Sequence, residues 1–221
     1  MSLSAALTTA RSSLAATAAQ LAVSGQNVAG ADDPNYARKV AQGTTTRDGA
    51  AQVVTVTRAS DARLLGTALS AKAASAGDEA LLAALDRLHD TIGDAADASS
   101  PAALVGTLAD ALTQYANAPD DRQRGQGVVA AAQDLAGALN RGAAAVSTLR
   151  GEADRAIGVA VEQVNDLLAR LADLNATITS GSAAGIDVTA SIDQRDGLVS
   201  ELAGEMGVTV VQRPRGEIAI Y

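Results

Sequence analysis

Leu7, Leu14, Leu21 and Val28 recur every seven residues, with Leu3, Ala10, Thr17 and Ser24 on the intermediate positions. This is a heptad seam of one strong and one weak row, the pattern of a helix that pairs with another helix. A lone helix with so thin a stripe buries little area and stays marginal until a partner covers it. The pattern breaks at "NVAGADDPNYARK", Asn27 to Lys39. Pro34 suits the first corner of a turn, and Asn35 is among the few non-glycine residues that tolerate positive φ at the next. Tyr36 adds a flat apolar face with one polar end. Together with Asn27 and Arg38 these residues predict a fixed corner between a helix and an extended arm, not a loose linker.

After the corner, Val54, Val56 and Arg58 alternate against Thr55 and Thr57 within Ala50 to Ser60, which reads as a short half-exposed strand or extended arm. Helical spacing then resumes, with Leu64, Leu65, Leu69, Leu81, Leu82, Leu85, Leu88 and Ile92 on one broad face. "DASSPAAL" stops that helix. Ser99 or Ser100 serves as a cap and Pro101 opens the next helix, which ends near "YANAPDD". From about Asp121 to Ser180 two rows repeat every seven residues: Ala132, Leu139, Val146, Ala153, Ala160, Leu167 and Leu174, then Ile157, Val164, Leu171 and Ile178. If continuous, about 58 residues at roughly 1.5 Å each give a rod of about 87 Å. Glycines 125, 127, 137, 142, 151 and 158 allow a break early in it. "SGSAAG" from Ser180 to Gly185 reads as a flexible turn, and Ser191 with Gln194 as a capping box opening a helix through Ala203. "VTVVQRPRGEIAIY" reads as two strands joined at Pro214 to Gly216.

The pattern therefore predicts a mainly α chain: an elongated bundle of long helices with an N-terminal heptad helix, an extended arm and a short C-terminal β hairpin. Three segments are expected: an assembly segment with its corner over 1–40, a helical rod over 41–206, and the start of a β region over 207–221.

Composition removes most alternatives to a structural role. The chain has three tyrosines, no tryptophan and no phenylalanine, so its core is built from Ala, Leu, Val and Ile, which suits closely spaced helices better than a deep ligand pocket. A net charge of -8 without clustered Lys or Arg argues against nucleic acid as a partner. There is no cysteine, hence no disulfide or thiolate site. The N-terminus lacks a basic start followed by a continuous apolar segment, so no cleaved signal peptide is expected, and no stretch suits a membrane span.

Candidate chemistry is sparse. The single histidine, His89, stands between Asp86 and Asp90 and reads as a surface residue beside carboxylates rather than a metal ligand or triad member. Neither a dinucleotide-binding nor a P-loop glycine pattern occurs. The acidic pairs Asp32 with Asp33, Asp120 with Asp121, and Asp193 with Asp196 each flank a turn or helix start and read as capping groups rather than catalytic carboxylates. No enzyme activity, cofactor or metal is expected.

Asn27, Val28, Ala29 and Gly30, then Asp33, Pro34, Asn35, Tyr36 and Arg38, resemble the corner of bacterial flagellar axial proteins, whose first helix leads into Asn-Ile-Ala-Asn and then Thr-Pro-Gly-Tyr with a following Arg. Gly30 departs from the second Asn, and Asn35 from the Gly. "VVTVTRASDARLLGTALSAKAASA", "YANAPDDRQRGQGVVAAAQDLAGALN", "VEQVNDLLARLADLNATI" and "DQRDGLVSELAGEMGVTVV" narrow the resemblance to the FlgK family of hook-associated proteins. The last stretch carries the motif Asp193, Gln194, Arg195 and Asp196. Thr189 to Ile192 stand where that family often has Asn-Asp-Leu-Leu.

The resemblance implies a structural adaptor, exported by the flagellar type III pathway, that self-associates as a ring at the hook-filament junction. It implies contact with the hook protein and the second hook-associated protein, and an extracellular location in the flagellum without membrane insertion. The assembly interface falls on Leu3, Leu7, Leu14, Leu21 and Val28. Because such proteins usually continue through a β domain and return helices, the 221 residues are expected to be an N-terminal part or a shortened form. The rival readings are a helical coiled-coil signalling module and another hook, rod or filament protein.

Overall fold

The computed structural model describes residues 3–46 and 49–221. Its order is α1 (Leu3–Ala29), β1 (Lys39–Thr45), β2 (Ala51–Arg58), α2 (Ala62–Ile92), α3 (Pro101–Ala116), α4 (Arg122–Ala183), α5 (Thr189–Glu205), β3 (Val210–Gln212), a 3-10 turn (Pro214–Gly216) and β4 (Ile218–Ile220). The mainly α fold expected from the spacing is the one observed, with two antiparallel hairpins, β1–β2 and β3–β4. No helix among the described residues is long and apolar enough to cross a membrane.

The chain divides into two units, Met1–Ala76 with Glu162–Tyr221, and Gly77–Val161. In the first, an apolar cluster joins Leu69 of α2, Leu167 and Leu171 of α4, Leu198, Val199, Leu202 and Ala203 of α5, and Ile218 of β4. Leu202 and Ile178 are wholly buried. The β3–β4 hairpin is pinned by Asn175 of α4, whose amide donates to Ile218 O at 3.0 Å and accepts from Ile218 N at 3.3 Å. Gly216 takes a φ of +79° in the turn, a conformation glycine adopts without a Cβ penalty.

In the second unit the buried apolar residues are Ala131 and Ala138, flanked by half-buried Val128, Leu135, Gly142, Ala145 and Leu149. The inward stripe of α4 is thus offset by one residue from the predicted row through Ala132 and Leu139, and Leu139 is exposed. Farther along, Leu167, Leu171 and Ile178 are buried as the spacing predicted.

Ser100 caps α3 by accepting from Ala103 N at 3.2 Å, with Pro101 in the first turn. Two expectations fail at the other helix ends. The turn read at Ser180 to Gly185 does not begin at Ser180: α4, unbroken by its glycines, continues to Ala183 and closes with Ile186 N donating to Gly181 O at 2.9 Å, while Gly185 takes a φ of +70°. The Ser191–Gln194 capping box does not form either. α5 starts at Thr189, where Asp187 Oδ1 accepts from Thr189 N at 2.9 Å and starts the helix before Ser191 is reached.

Candidate assembly site

α1 has two faces. Ala16 and Val23 are buried, and Ser12, Ser13, Ala19 and Asn27 are half-buried at three- and four-residue spacing. This face meets the β1–β2 hairpin. Ser12 Oγ donates to Ala51 O at 2.8 Å, and Asn27 binds the backbone of Lys39. Two helical positions are about 200° apart, so Leu14 and Leu21 lie opposite Ala16 and Val23. Accordingly Leu3, Leu7, Leu14, Leu21 and Val28 are between 60% and 89% exposed. The helix folds against its own hairpin through small and polar residues and leaves the leucine row bare.

Asn27 organises the corner. Its Oδ1 accepts from Lys39 N at 2.8 Å and from Tyr36 Oη at 2.9 Å, and its Nδ2 donates to Lys39 O at 2.9 Å. The side chain thus substitutes for a missing strand neighbour at the start of β1. Asp33 O accepts from Tyr36 N at 3.0 Å, closing a turn with Pro34 and Asn35 at its two corners, and Asp33 Oδ1 accepts from Asn35 N at 2.8 Å. Arg38 is exposed but its carbonyl accepts from Ala59 N at 2.8 Å. The Tyr36 ring lies against Gly30, where an added Cβ would come within 2.5 Å of it. Lys39 Nζ sits 4.8 Å from the ring centroid.

Asp193 and Asp196, three apart on α5, face this corner. Asp193 Oδ1 accepts from Arg58 Nε at 2.7 Å and from Ala37 N at 3.4 Å, and Asp193 Oδ2 stands 3.3 Å from Lys39 Nζ, without hydrogen-bond alignment. Asp196 Oδ2 accepts from Arg58 Nη2 at 2.7 Å. Arg195 turns the other way. Its Nη1 donates to Gly216 O at 2.5 Å, while its Nη2 donates to Asp196 Oδ1 at 3.2 Å. Burial lowers the Arg195 pKa from its ordinary value, with the Arg58 charge acting in the same direction and Asp196 opposing both. The Asn35 side chain lies beside Gly197, where an added Cβ would be 3.6 Å from it.

The acidic pair at Asp193 and Asp196 is therefore not a capping pair, as its position near a helix start suggested, but the anionic side of a buried ion cluster. The capping reading does describe Asp121, whose Oδ1 accepts from Gln123 N and Arg124 N. Gln194, the remaining member of the motif, is exposed, as is His89.

Lys39 and Arg58 are the site residues that spacing did not single out. The signal was present for Arg58, which shared a parity with Val56 in the alternating strand. The alternation is also interrupted: register shifts between Gln42 and Gly43, so Val54 is the extra residue of a bulge and points to solvent, and Val53 takes the inward position.

Comparison with known proteins bears on the helices directly. The description of the flagellar hook-associated protein FlgK helical domain matches residues 85–221, more than half of the chain. No curated protein matches the chain. The match spans the end of α2, all of α3, α4 and α5, and the C-terminal hairpin, including the Asp193–Asp196 motif. The chain belongs to the FlgK family of flagellar hook-associated proteins, a family of structural components of the bacterial flagellum and not of enzymes.

Proposed function

We propose that this chain acts as an adaptor at the hook-filament junction, assembling as a ring of subunits between the hook protein and the second hook-associated protein after export by the flagellar type III pathway. The observation that carries this reading is the bare leucine row of α1. Leu3, Leu7, Leu14, Leu21 and Val28 stay exposed although the same helix is already seated on the β1–β2 hairpin by its opposite face. An exposed heptad row of large apolar residues on a folded helix marks a surface for another helix. Family membership favours the flagellar reading over a coiled-coil signalling module.

The test is genetic. In a strain lacking the chromosomal copy, the gene carrying Leu14→Asp with Leu21→Asp is supplied, and secreted protein is measured separately from filaments per hook. Secreted protein with bare hooks is expected. Normal filaments would sink the reading of this face, and protein retained in the cell would assign the leucine row to export instead.

A further inference from the structure

Residues 3–60 are attached to the rest of their unit in an unusual way. Among the described residues, none of them belongs to the apolar cluster that joins α2, α4, α5 and β4, or to the half-buried apolar residues packed against it. Their own buried apolar residues, Ala16, Val23 and Ala50, lie on α1 and beside β2. The described hydrogen bonds and ion pairs that reach the body converge on two carboxylates: Asp193, holding Ala37 N, Lys39 and Arg58, and Asp196, holding Arg58. Asn35 over Gly197 adds a contact at the same place.

We propose that residues 3–60 form a releasable arm, held on α5 chiefly by the clamp of Asp193 and Asp196 and lying outside the apolar cluster of the body. Opening the clamp frees the arm as a unit while the helical body keeps its core. A buried ion pair that loses one partner changes from an attachment into a penalty, because the remaining charge prefers water. Lys39 and Arg58 are largely buried at the clamp, so loss of Asp193 drives the arm outward. Arg195 touches the clamp only from the body side, donating to Asp196 while it ties α5 to Gly216. The clamp also sets the direction in which the leucine row of α1 points; that consequence alone rests on the assembly reading.

The absence of cysteine allows a direct test. Spin labels on Gln42→Cys in the arm and Glu201→Cys on α5, both exposed positions, report the arm-to-body distance by pulsed electron resonance. Amide exchange of Leu198 to Ala203 reports the body core. The unmodified clamp is expected to give one narrow distance. Asp193→Asn, and independently Arg58→Met, broaden it, with the clamped population falling on the order of a hundredfold relative to the released one and the core exchanging as before. Arg58→Met perturbs the clamp from the arm side and leaves α5 unaltered. A narrow, unchanged distance in Arg58→Met would overturn the proposal. So would loss of core protection in that variant, because the arm would then be part of one cooperative core.

Discussion

Replacing Asn27 with alanine removes the side chain on which the corner depends. Three hydrogen bonds go at once: two to the backbone of Lys39 and one from Tyr36 Oη. Each is worth about 1 kcal/mol net, and the N–H and C=O of Lys39 keep their desolvation cost when the partner disappears, so a loss of about 3 kcal/mol is expected. The loss falls on local opening of the corner, because Asn27 does not belong to the apolar cluster. At about 1.4 kcal/mol per tenfold, the Lys39 amide should exchange with solvent on the order of a hundredfold faster in Asn27→Ala. Hydrogen exchange read by NMR measures this directly. Asn27→Asp keeps the accepting oxygen but sets a second acceptor oxygen against Lys39 O, so it too should accelerate exchange. An acceleration at Lys39 of less than about threefold in Asn27→Ala would refute the assignment of the corner to this side chain.

Three further outcomes follow from the same contacts. Gly30→Ala places a Cβ within 2.5 Å of the Tyr36 ring, so the ring must leave its seat, and its NMR signals should shift toward those of a solvated tyrosine; unchanged signals would contradict the packing described. Ser100→Ala removes the cap of α3 and should lower stability by about 1 kcal/mol in urea unfolding; an unchanged midpoint would contradict the cap. Leu202→Ala opens a cavity at a wholly buried position and should cost about 2–5 kcal/mol, against near-neutral behaviour for Leu14→Ala on the bare face of α1.

Where large apolar residues recur at helical spacing and the breakers are plain, the chain is readable by eye. Ser100 with Pro101 marks the start of α3, and Leu167, Leu171 and Ile178 mark the inward face of α4. Small residues hide a packing face. Ala16 and Val23 in α1, and Ala131, Ala138 and Gly142 in α4, carry contacts that larger neighbours such as Leu14 and Leu139 draw attention away from. β1 was not legible, because "KVAQGTT" carries a glycine and weak alternation and exists as a strand only through its pairing with β2.

The ion cluster was legible in part. Asp193 and Asp196 stood out as members of a motif, but Arg58 lies 135 and 138 residues away in sequence, a meeting that no local pattern encodes. Asn27 and Asn175 share one device that could be sought in advance. Each is a helix asparagine that binds both backbone groups of one strand residue, Lys39 and Ile218 respectively, and so fastens a hairpin to a helix without apolar area. That device explains how α1 can hold its hairpin with one face and keep the other free.

The central claim is that the leucine row of α1 is open in the free subunit and covered in the flagellum. Because the chain has no cysteine, Leu14→Cys or Leu21→Cys introduces a single reporter, and Asp110→Cys on α3 supplies an exposed control. The measurement is the rate of maleimide labelling in the purified subunit and in isolated flagella. The account predicts fast labelling of both α1 positions in the subunit and strong protection in flagella, with the reporter at 110 labelled quickly in the free chain. Equal rates at positions 14 and 21 in the two states would contradict it.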